Sequence, residues 1–168
     1  PLGFAREEVL AIEQVIGTAR CRSAIGADAT KDMLLEVANS ARREQDFDIW
    51  HLATHAVFIQ SAPHLSFLHL ASAKAGEGRI HAFELAGLQH SARLVIASAC
   101  HTALTLETGG DELNGLLYSL MAVDSKSVIA SLWAVNDRST AELMRVFYEN
   151  LLGDDPISLA TALQTAQL

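Results

Sequence analysis

The chain has 168 residues, half of them apolar and 19% charged, the balance of a soluble globular protein able to bury a core. Its net charge of −8 argues against nucleic acid as a direct partner, because phosphate binding needs a basic face. Two cysteines, Cys21 and Cys100, are too few for a disulfide framework, and no apolar run approaches the roughly 20 residues of a membrane span.

The first residues, PLGFAREEVLAIE, carry no basic segment followed by an apolar stretch, so no secretory leader is read there. A reducing, cytoplasmic setting with both thiols free follows as the expectation. The seven histidines include no HExxH pair, and two cysteines do not assemble a closed zinc site. Neither metal nor cofactor is expected.

Taken in chain order, Ala5–Gly17 has apolar residues at helical spacing and a terminal glycine, and is predicted to be a helix. Ala19–Ile25 is predicted to be a short strand. A second helix begins near the capping candidates Asp28 and Thr30. Phe47–Thr54 and Leu65–Ala71 are strand-like, and Ala82–Leu88 is a short helix. Ala92–Ala99 is apolar without alternation, as expected of a central strand covered on both faces. A helix from Asp111, a second central strand over Lys126–Trp133 and a long helix ended by Gly153 follow. One more helix closes the chain.

Strand and helix alternation predicts one α/β domain of three layers, a mostly parallel central sheet with helices on both faces. Sites in such sheets form at the carboxyl ends of the strands. The predicted strand from Phe47 ends in Thr54-His55-Ala56, and the one from Ala92 ends in Ser98-Ala99-Cys100. A histidine and a cysteine therefore reach the same sheet edge. That pairing suits thiol catalysis, in which the thiolate attacks and an imidazole moves the proton. Each residue alone also fits core packing. His101 neighbours Cys100 in sequence, but successive side chains in an extended segment point to opposite faces. His51 shares a strand face with His55 and lies deeper in the sheet.

The segments DIWHLATHA, LVIASACHTA and SVIASLWAVNDRSTAELMRVFYENLL, in that order, resemble the CHAT domain, a caspase-like family of the cysteine peptidase group. The similarity covers nearly the whole chain. It implies a caspase-like fold, His55 as the catalytic histidine and Cys100 as the nucleophile. It also implies an oxyanion hole made by the backbone N–H groups of Cys100 and Ala56. The family usually has glycine where Ala56 stands, and an acidic or small polar residue where His101 stands. A cationic His101 would lower the thiol pKa. Members usually carry a further strand at each end, so the expectation is a fragment of a longer chain. They often sit beside helical-repeat regions, so a regulatory repeat region or partner protein is implied, with a protein or peptide as substrate.

Selectivity in this group lies mainly in the residue before the scissile bond. By the same resemblance Asp137 is a candidate for recognising a basic residue there, since a carboxylate pairs bidentately with arginine. Asp137 equally suits the start of its helix. Asp111, Glu112 and Trp133 are further pocket candidates, with a solvated loop or helix start as the other reading for the two acids and packing for the tryptophan. Leu104–Gly110 reads as a loop, and the resemblance implies a segment where some related enzymes are cleaved or rearranged on activation. Two rival functions stay open. One is a catalytically idle caspase-like scaffold. The other is a flavodoxin-like nucleotide domain, which would need a glycine-rich phosphate loop that the chain lacks.

Overall fold

A computed structural model of the chain describes residues 5–40, 47–59, 61–74, 76–88, 92–101, 112–121, 125–131 and 137–168. They form two compact units.

The first unit is helical and combines residues 1–25 with 135–168. It contains α1 (Ala5–Ile16), α5 (Asp137–Leu152) and α6 (Leu159–Ala166), with α1 and α6 both packed on α5. Thr140, Met144, Phe147 and Tyr148 make one buried stripe of α5 at spacings of three and four residues, which is why this sequence is helical here. Two glycines stop helices. Gly17, at φ 85°, ends α1, and Gly153 ends α5 where a Cβ would lie 2.3 Å from the Glu149 carbonyl oxygen. Ser158 caps α6 by accepting from the Thr161 N–H.

The second unit, residues 26–134, holds the sheet. Its elements are α2 (Lys31–Ser40), β1 (Ile49–Val57), β2 (Phe67–His69), β3 (Arg79–His81), α3 (Ala82–Ala86), β4 (Leu94–His101), α4 (Glu112–Met121) and β5 (Ser127–Ala130). Thr30 caps α2, its hydroxyl accepting from the Met33 N–H. The strand order is β3-β2-β1-β4-β5. β1, β4 and β5 are parallel, while β2 and β3 add antiparallel on the outer side of β1. The expected mixed α/β class with a mostly parallel sheet is therefore present.

Sequence alternation selects the sheet faces. Trp50, Ala56, Leu68, Ile80, Val95 and Ala97 form one core with Leu34 and Ala38 of α2, Leu85 of α3 and Leu116 and Leu120 of α4. On the opposite side of β4, Leu94 and Ile96 are also buried, so both faces of this strand are covered. That explains why Leu94–Ala97 is apolar without alternation.

Four expectations change. Ala19–Ile25 is not a strand: its first two residues belong to a 3₁₀ turn at Thr18–Arg20, and positive-φ glycines, Gly17 and Gly26, bracket the segment. β1 runs on to Val57 because it pairs with β4 along eight residues and then with β2, so His55 and Ala56 lie within the strand. β3 is an additional strand, placed by its pairing to β2. β5 ends at Ala130, short of the Trp133 expected to close it.

Candidate active site

β1 and β4 are neighbours, and their register fixes the site. Leu52 lies opposite Ala97, Thr54 opposite Ala99 and His55 opposite Cys100. Adjacent strands run about 4.8 Å apart, and register partners in a parallel pair fall on the same side of the pleat. The histidine and cysteine positions are thus side by side at the carboxyl ends of two central strands. The strength of this placement comes from the sheet: eight consecutive register pairs and buried β4 residues leave little freedom for a slip, which would invert every face.

His55 is half-buried, and its Nδ1 is shielded from solvent. Ala56, next in the chain, is fully buried in the core, with register partners Leu68 and His101 on either side. It stands in an extended strand that any residue adopts, so alanine carries no left-handed strain here. His101 occupies the position opposite Ala56, on the other side of the pleat from Cys100. His51 pairs with Ile96, four residues deeper along β1.

The remaining described candidates stand at helix starts. Glu112 opens α4 in the sheet unit, and Asp137 opens α5 in the helical unit. Asp111, Trp133 and the predicted loop Leu104–Gly110 lie outside the described residues.

The second cysteine has a different environment. Cys21 is a half-buried free thiol in the helical unit. Burial pushes its pKa up, and the Glu13 carboxylate pushes the same way. Tyr148, in the same unit, is held well above the ordinary phenol range by burial and by Cys21 and Glu8. These surroundings favour the protonated thiol, which is a poor nucleophile.

Sequence reasoning gave no role to a group of side chains on the β2–β3 hairpin. His69 and His81 meet the Phe67 ring edge-on at 5.0 and 5.4 Å, and the Arg79 guanidinium lies 4.7 Å above its centre. The signal was the alternation in Phe67-Leu68-His69 and Arg79-Ile80-His81, in which Leu68 and Ile80 are fully buried and their neighbours face the other way.

A five-strand α/β sheet with a parallel centre and helices around it is consistent with a caspase-like fold, and it carries a histidine and a cysteine in register at the strand ends. The family model of the CHAT domain matches residues 1–168, the whole chain, and the chain belongs to that family. CHAT is a caspase-like family usually tied to cysteine peptidases. No curated protein matches the chain. No helix among the described residues is long and apolar enough to cross a membrane, and no group of three or more potential metal ligands occurs among them.

Proposed function

We propose that the protein is a cysteine endopeptidase working through a His55–Cys100 dyad. The observation that carries this is the register pair of His55 and Cys100 on β1 and β4. In the reaction, the Cys100 thiolate attacks the scissile carbonyl carbon and forms a C–S bond. The C–N bond then breaks as His55 gives its proton to the departing amine. Water hydrolyses the resulting thioester, releasing the acid and restoring the thiol. Backbone N–H groups of Cys100 and Ala56 are the proposed donors to the oxyanion, and one such donor is typically worth about 2.7–4 kcal/mol.

A preference for a basic residue before the scissile bond, with Asp137 as its counter-charge, belongs to the same proposal, as does control by a partner or an adjoining region. Exposure of the protein to a peptide library tests both chemistry and preference. Turnover lost in Cys100→Ala and in His55→Ala is the expected result. No cleavage of any peptide by the wild-type protein favours an idle scaffold. Equal ranking of basic and other residues removes Asp137 from recognition.

A further inference from the structure

The hairpin cluster lies on the same sheet face as the dyad positions. Phe67 is the register partner of Val57, and alternation puts Val57 and His55 on one side of β1. Phe67 is also the partner of His81, and His69 of Arg79. The pairing of positions 56 with 68 and 57 with 67 leads, one step further, to 55 and 69. The Thr54 hydroxyl, donating to the His69 carbonyl, ties the strands together at this step. A single row thus crosses the sheet through Arg79, His69, His55 and Cys100, with steps of about 5 Å.

Arg79 places a fixed positive charge at the outer end of this row, in a protein of net charge −8. Arg79 and His69 are exposed, and Phe67 beneath them is 6% exposed, so the ring is a fixed platform. A guanidinium over a ring face keeps its in-plane N–H donors available for a carboxylate. Among the described residues no acidic side chain forms an ion pair with Arg79. The nearby acids are engaged elsewhere: Glu77 pairs with Lys74, and Glu84 pairs with Lys31 and accepts from the His81 N–H. His81 itself donates from Nδ1 to the Leu65 carbonyl.

We propose that Arg79 and His69 form a subsite for an acidic side chain on the leaving-group side of the scissile bond. This rests on the dyad reading above. Cys100 takes the acyl half of the substrate and His55 protonates the departing amine, so the peptide beyond the bond extends away from Cys100 past His55. That direction is toward β2 and β3. A span of about 5–10 Å from His55 corresponds to the first three residues beyond the bond, at roughly 3.3 Å per extended residue.

The test uses the full chain and matched quenched peptides carrying Glu, Gln or Lys at each of these three positions. Glu over Gln by about tenfold in kcat/KM at one position is expected, the scale of a charge-assisted hydrogen bond. Arg79→Glu, at an exposed position, should reverse the order to favour Lys, which a merely structural role would not do. Arg79→Lys should retain part of the Glu preference. Turnover with Glu and Gln equal at all three positions, or with the preference only before the bond, overturns the subsite and leaves the peptidase. No turnover of any peptide, with Cys100 unlabelled by a peptide ketone, overturns the dyad reading and the subsite with it.

Discussion

His55 and Cys100 are register partners on parallel strands, one residue directly opposite the other at the carboxyl end of the sheet. The pairing is a property of the backbone ladder. It gives the two groups fixed positions, in contrast to residues delivered by loops. Electrostatic and proton-transfer effects depend on such preorganisation.

Removing the imidazole should expose its contribution. His55→Ala is expected to lower turnover of a cleaved peptide by about 100- to 10,000-fold, the usual range for general acid–base catalysis. His51→Asn, four residues deeper and opposite Ile96, should leave turnover within about tenfold. Steady-state kinetics on the two variants decide the assignment, and a larger loss for His51 would transfer the role.

The sheet core should be sensitive to cavities. Leu68 is fully buried against Ile80 and Ala56 in the unit core. Leu68→Ala should cost about 2–5 kcal/mol in urea unfolding, by lost burial and an imperfectly closed void. A cost below about 1 kcal/mol would place Leu68 outside the core.

Gly78 connects the two strands of the hairpin at close quarters. Its carbonyl accepts from the Leu70 N–H at 2.6 Å, and a Cβ would stand 2.2 Å from the Leu70 carbonyl oxygen. Gly78→Ala should destabilise by about 1–3 kcal/mol through overpacking. It should also blunt the Glu preference, because the turn leads directly to Arg79. Unfolding curves and the matched peptides read the two effects separately.

Glu84 makes a pH prediction. Burial raises its pKa, but the His81 N–H bond and the bond and charge of Lys31 outweigh this and hold the carboxyl below its ordinary value. A depressed folded pKa means stability present above the unfolded pKa and lost as pH falls through the folded one. Glu84→Gln should therefore cost about 1 kcal/mol at pH 7, discounted for the partial exposure of the pair, and progressively less below about pH 4.5. A constant difference between variant and wild type down to pH 3 would refute the charge contribution.

Much of the architecture was legible because burial wrote it into the chain. β4 opens on four consecutive apolar residues, Leu94–Ala97, and α5 repeats apolar residues at helical spacing. His55 and Cys100 could be picked out as strand-end residues for the same reason. Their register could not be, because it depends on which strands become neighbours. β3 escaped notice because only Ile80 of its three residues enters the core. The false strand at Ala19–Ile25 had fitting composition, but Gly17 and Gly26 turn the chain at either end. Arg79 and His69 gained meaning only when pairing set them in a row with His55 and Cys100.

Competition between the two thiols tests the central claim most directly. Cys21 is disfavoured as a thiolate by burial and by Glu13, so it serves as an internal reference. The full-length protein is exposed briefly to iodoacetamide or a peptide acyloxymethyl ketone near pH 7, and peptide mapping reads each site. Modification of Cys100 much faster than Cys21, slowed in His55→Ala, is the predicted result. Equal modification of the two cysteines, unchanged in His55→Ala and without cleavage of any peptide, would contradict a His55–Cys100 dyad.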